Sequence, residues 1–250
     1  MFINIKQIPL PLFAVFAEVQ SLICASIFIL YFYLHQKPIY GMMFQIKEEV
    51  IPMKEYTIVR RPENLDWSQI PALQINELHN TPPVDITAEA RLCYDDEAIY
   101  VHLQAVEKNI SAQYTGLLDE VSDDSCLEFF FCPIEGDLRY FNIESNPNGA
   151  MFLGFGPNVQ ELCRLIQEEP VIAPRAEYTA DGWKVEYEVP HSFVRRFFPE
   201  YSPAPGKSIR ANCYKCGALK EPKHYMCWCS VVPQRCAFHN PSRFGIMHFG

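Results

Sequence analysis

Asp124-Ser125-Cys126-Leu127-Glu128-Phe129-Phe130-Phe131-Cys132 is followed, a short gap later, by Tyr140-Phe141-Asn142-Ile143-Glu144-Ser145-Asn146. From Ser125 to Cys132 the chain is nearly all apolar, as expected of a strand at the centre of a sandwich. The second stretch alternates with the period of two that marks a half-buried strand. Phe141 and Ile143 point one way, into a core. Tyr140, Asn142, Glu144 and Asn146 point the other way and present a ring, a carboxylate and two amides together.

The same period recurs outward from this pair. Ile99, Val101, Leu103 and Ala105 share one face, while Tyr100, His102 and Gln104 share the other. Asp95-Asp96-Glu97 before them reads as a hairpin turn after Arg91–Tyr94. Further strands are expected at Trp183–Val189, Ile209–Cys216, Tyr225–Val231 and Gly245–Phe249, with one brief helix at Ser192–Phe198 behind Pro190. Many short strands punctuated by turns, from about Ala88 onward, predict an all-β fold: an antiparallel β-sandwich of jelly-roll or Greek-key type. Composition agrees. The 250 residues are 49% hydrophobic, and 18 Phe and 13 Tyr against 11 Gly favour packed strands. A net charge of -9 with no basic run excludes a phosphate-reading surface, so no nucleic-acid partner is expected.

Residues 1–52 stand apart from this body. Ile8 to Leu34 is apolar but broken by Pro9, Pro11, Glu18 and Gln20, and its unbroken part, Leu22–Leu34, is shorter than the ~20 residues of a spanning helix. Tyr31, Phe32 and Tyr33 stand where a signal peptide needs small residues. Glu48-Glu49-Val50, shortly before Met53, can be encoded by a purine-rich stretch resembling a bacterial ribosome-binding site. The expected division is therefore an N-terminal extension, 1–52, and one folded domain, 53–250. Translation from Met53 would place the domain in the cytoplasm; a genuine extension would make it a membrane anchor, and only then is a membrane a partner.

Ten cysteines raise the question of metal. Cys213-x-x-Cys216 with Cys227-x-Cys229 could supply four thiolates to zinc. Both pairs fall in strand-like runs, however, where Cys213 and Cys216 face opposite ways, and small buried hydrophobes are the expected role. Reduced thiols rather than disulfides are expected in a cytosolic chain.

Glu128 is the outlier in its apolar strand: a carboxylate there needs a partner or a site to face. On the neighbouring strand Tyr140, Asn142, Glu144 and Asn146 suit a sugar, whose hydroxyls pair with carboxylates and amides and whose C–H faces stack on rings, with a solvated outer strand face as the alternative. Lys215, His224 and His239 are candidate donors at the same place, the two histidines also candidate metal ligands, with solvated or loop hydrogen-bonding roles as the alternative. Glu128 and Glu144 also fit a glycosidase acid/base pair, and with His239 a sugar-active enzyme.

Three motifs then point to one family. Asp124-Ser125-Cys126-Leu127-Glu128, Tyr140-Phe141-Asn142-Ile143-Glu144-Ser145-Asn146-Pro147-Asn148-Gly149 and Phe238-His239-Asn240-Pro241-Ser242-Arg243-Phe244-Gly245 resemble the family 9 carbohydrate-binding modules and their bacterial relatives. Asp66-Trp67, Gly182-Trp183-Lys184-Val185 and the Trp228 strand support the match, which runs in order from Asp66 to Phe249. The resemblance implies a jelly-roll-like sandwich holding a mono- or oligosaccharide between two aromatic rings, without catalysis. It makes Glu128 a hydroxyl ligand and Phe238 one of the two rings. Val121 stands where the other ring is expected, a departure that leaves one stacking face. The resemblance also admits a structural calcium ion. A haem-binding, electron-carrying sandwich is the alternative it leaves open, with Met151, Met226 and His224 as available axial ligands.

Overall fold

The computed structural model of the chain describes residues 53–167, 169–219, 221–231 and 237–250. The expected N-terminal extension lies outside the described residues. Among the described residues fourteen strands follow in chain order. They are β1 (Glu55–Arg60), β2 (Leu73–Gln74), β3 (Glu77–Leu78), β4 (Thr87–Tyr94), β5 (Ala98–Val106), β6 (Cys126–Cys132) and β7 (Tyr140–Ser145). Then come β8 (Met151–Gly156), β9 (Cys163–Arg164), β10 (Arg175–Tyr178), β11 (Gly182–Pro190), β12 (Ser208–Gly217), β13 (His224–Cys227) and β14 (Gly245–Phe249). Among the described residues one α-helix, α1 (His191–Val194), opens behind Pro190 as expected, and hydrogen-bonded turns carry the chain on to Phe198.

One sheet runs β14-β12-β6-β7-β8-β9, with β13 beside the far half of β12 and β3 beyond it. The other runs β10-β11-β5-β4. The all-β expectation holds, with one difference: β1 is parallel to both neighbours. Its first four residues pair with β14 and its last two with β4, so it joins the sheets instead of leaving an open edge between them. The 55–60 run does alternate, with Tyr56 and Ile58 buried. β8 is a strand that composition disguised. Its Met-Phe-Leu-Gly-Phe-Gly has weak strand propensity, but a Cβ at Gly156 would sit 2.6 Å from the Glu161 carbonyl of the returning chain.

Between the sheets lies the main core, with Phe129, Phe131, Phe141 and Ile143 on one side and Leu92, Val101, Leu103, Trp183 and Val185 on the other. A second apolar cluster covers the opposite face of the first sheet: Val121, Cys126, Phe130, Tyr140, Tyr214, Cys216, Phe238 and Phe244. The period of two along β6 and β7 therefore sorts residues between two buried layers, not between core and solvent. Tyr225–Val231 does not continue as one strand. The side-chain amide of Asn212 donates to the Cys229 carbonyl at 3.0 Å and accepts from its N–H at 2.9 Å, so the chain leaves the ladder after Cys227.

Candidate functional site

The β6–β7 register places Glu128 directly opposite Glu144, and the β12–β6 register places Tyr214 on the other side of Glu128. All three side chains point into the second layer, where Phe238, from a short turn at Ala237–His239, stacks on Tyr214 with ring centroids 4.0 Å apart. Above them is a cavity of about 390 Å³ lined by Glu128, Glu144, Cys216, Tyr225, Phe238 and His239, with Ser122 and Ala218 on one rim and His79 and Asn80 on the other.

Its electrostatics are unusual. Glu128 is 2% exposed and accepts from the Cys216 thiol at 2.9 Å. Burial holds its proton affinity well above the carboxylate range, and the charges of Cys216 and Glu144 push the same way. Glu144 is pushed up to about 7, chiefly by burial. Among the described residues no lysine or arginine forms an ion pair with either carboxyl. His239 is driven down to about 4 by burial and is neutral at pH 7. Its Nδ1 shares a 2.8 Å hydrogen bond with the Tyr140 hydroxyl. The site thus offers carboxyl groups that both donate and accept, a neutral imidazole and a ring face, a set matched to neutral hydroxyls.

Of the residues singled out in the sequence, Glu128, Glu144, Phe238 and His239 meet at the cavity. Tyr140 lies behind them, buried, orienting His239. Asn142 is fully buried on the same face, with neither amide atom hydrogen-bonded.

Asn146, Lys215 and His224 sit elsewhere. Asn146 donates to Asp124 and to the Tyr114 carbonyl and receives the N–H groups of Asn148 and Ala150. That bonding shapes the Asn146-Pro147-Asn148-Gly149 turn, closed by Gly149 at φ 75°. Lys215 shares the face of its register partner Leu127, opposite to Tyr214 and Glu128, so it points between the sheets. There it pairs with Glu107 at 3.1 Å, which also accepts from Trp183 Nε1, and with His224 at 2.9 Å. Strand parity places these two residues in a buried network between the sheets, and neither lines the cavity. Met226 is likewise core.

Cys213 and Cys216 fall on opposite faces as their spacing implies, in the inter-sheet core and the second layer; Cys227 and Cys229, two residues apart, also divide, because the chain leaves the ladder after Cys227. Val121 is fully buried in that layer and lines no wall of the cavity. The wall facing Phe238 comes instead from His79, whose ring lies 6.2 Å away at 52°, and from Tyr225, at 6.0 Å and 81°. Sequence reasoning missed both. His79 follows the two-residue β3, and its N–H donates to the Tyr225 carbonyl. The local signal is Asn80, at φ 46°, a left-handed position that asparagine tolerates.

Comparison with known proteins gives a consistent picture. The family model described as carbohydrate-binding family 9 matches residues 56–249. No curated protein matches the chain. Among solved structures, a proposed carbohydrate-binding protein from Bacteroides uniformis is 24% identical, with a TM-score of 0.67 over 80% of this chain and 100% of that one. A family 9 carbohydrate-binding module from Caldicellulosiruptor kristjanssonii, solved with cellotriose, is 13% identical, with a TM-score of 0.58 over 78% of this chain and 93% of that one. The same source also gave a complex with glucose, 13% identical, TM-score 0.56, covering 79% of this chain and 96% of the module.

Proposed function

The chain belongs to carbohydrate-binding family 9, and from that premise we propose that it binds a neutral mono- or oligosaccharide in the cavity framed by Glu128, Glu144, Phe238 and His239, without cleaving it. The observation that carries this reading is the meeting of those four side chains on one cavity from three separate segments. Phe238 has one ring face against Tyr214, so its other face is the stacking platform. Glu128 and Glu144 accept and donate to hydroxyls, and His239, fixed by Tyr140, adds a neutral partner. A volume of about 390 Å³ lies near the lower end of ligand pockets, suited to the end of a sugar chain. The cellotriose and glucose complexes of the Caldicellulosiruptor modules make gluco-configured sugars the first to test.

Two features favour binding over hydrolysis. Glu128 and Glu144 are register partners on adjacent strands, so both approach a ligand from one wall. Glycoside hydrolysis needs carboxyls on either side of the scissile bond. Burial also raises both, so neither is a ready base or nucleophile at neutral pH.

Calorimetric titration of the chain with glucose, cello-oligosaccharides and a panel of other sugars tests the reading. Heat of binding that disappears in Phe238→Ala, with the fold intact by circular dichroism, is the expected result. No heat from any sugar, or an affinity untouched by that substitution, overturns it.

A further inference from the structure

We propose that Cys126, Glu128 and Cys216 form a binding site for one soft divalent cation, zinc foremost, at the floor of the cavity. The two sulfurs and a carboxylate oxygen all lie within 4.8 Å of one another, and all three residues are buried. The fold makes this proximity, not a sequence motif. β12 and β6 set Cys216 directly opposite Cys126, and Glu128 comes two residues further along β6 on the same face. Such a cross-strand set has no readable spacing; it is distinct from the Cys213/Cys216 and Cys227/Cys229 pairs, which the sheet divides between its faces.

The geometry is close to what zinc needs. Zn–S of about 2.3 Å and Zn–O of about 2.0–2.2 Å in a tetrahedron hold donors roughly 3.5–3.8 Å apart. Here the closest pair, Cys216 Sγ and Glu128 Oε1, is 2.9 Å apart because a proton lies between them, and no pair exceeds 4.8 Å. Side-chain rotations cover that difference without moving a strand. Replacing the two thiol protons and the Glu128 carboxyl proton with a metal ion turns three desolvated groups into ligands. The hydrogen bond with Cys126 and burial raise the proton affinity of Cys216, and burial raises that of Cys126 and Glu128, so the ion must displace their protons; the Lys215 charge behind the sheet opposes that rise only in part.

Two thiolates select a soft or borderline ion and exclude calcium, which takes six to eight oxygens. Glu128 and Cys216 line the cavity whereas Cys126 does not, so the fourth position opens onto the cavity, where water can complete the shell.

The inference stands apart from sugar binding, because the ion is titrated with no sugar present. Cobalt(II) is added anaerobically to the full chain in which the exposed Cys163, and Cys24 and Cys236 outside the described residues, are serine. The expected result is one ion per chain, a thiolate-to-cobalt absorption band, and its loss on adding zinc. While all three groups are protonated in the free chain, the apparent affinity should rise about a thousandfold per pH unit, the signature of three protons released. Glu128→Gln, which preserves shape, should keep the band at weaker affinity; Cys126→Ser with Cys216→Ser should abolish it. No band in the parent, a band unchanged in the double variant, or a Cys126–Cys216 disulfide in the freshly purified chain overturns the proposal.

Discussion

Asp124 and Glu128 lie four residues apart, both almost wholly buried, and their surroundings are opposite. Asp124 accepts from the backbone N–H groups of Gln113 and Tyr114, the Ser111 hydroxyl and the Asn146 amide. These bonds outweigh burial and hold it below the usual carboxylate range. Glu128 has one thiol donor, and burial holds it above that range. Asn146 and Asn142 repeat the contrast: one is bonded at both ends, the other at neither. A buried polar group with a full set of partners ties chain segments together. One left short of partners beside a cavity is paired by what enters it.

The largest effect expected from this contrast is on stability. Asp124→Ala orphans two backbone donors and should cost about 3 kcal/mol or more in urea unfolding. A loss below 1 kcal/mol would remove the distinction between the two acids. Next comes the pH dependence of Glu144. Its ordinary value is 4.5 and its folded value about 7, so between those limits the folded chain holds a proton that the unfolded chain has released. Its contribution is therefore full below about 4.5 and lost as pH rises to about 7. His239 works the other way, its contribution present above 6.5 and lost as pH falls towards 4. The difference between Glu144→Gln and the parent isolates Glu144: the variant should gain about 2–3 kcal/mol relative to the parent from pH 5 to pH 8. Parallel pH–stability curves would contradict the assignment.

Glu128→Gln should weaken sugar binding by about 1–3 kcal/mol through a lost hydrogen bond to a charged or proton-sharing group, read by calorimetry. An unchanged dissociation constant takes Glu128 out of the sugar site. The smallest effect belongs to Asn142→Leu, which removes two buried polar atoms without partners. Its thermal stability should stay equal or rise by up to about 1 kcal/mol, whereas Asn146→Leu should lose more than that.

The sandwich was legible because strand periodicity is local: Tyr140–Asn146 and Ile99–Ala105 announce their faces residue by residue. β1 and β8 were not, since one is fixed by its place between distant strands and the other by glycines that admit a close neighbour. Half of the cavity could be read in the same way. Glu128 stood out as an acid in an apolar run, and Phe238 and His239 through their motif. The wall made by His79 and Tyr225 depends on β3 pairing with β13, a contact between residues far apart in the chain. Lys215 and His224 lie away from the cavity because parity puts them on the face between the sheets, where Lys215 meets Glu107. Sequence periodicity says that two faces exist, and only the register says which residues share one.

The most direct test of the central claim is a crystal structure of the chain soaked with cellotriose. The expected result is a sugar ring against the Phe238 face turned away from Tyr214, with hydroxyls within hydrogen-bond distance of Glu128 and Glu144. Sugar bound at any other surface, with this cavity holding only water, would contradict it.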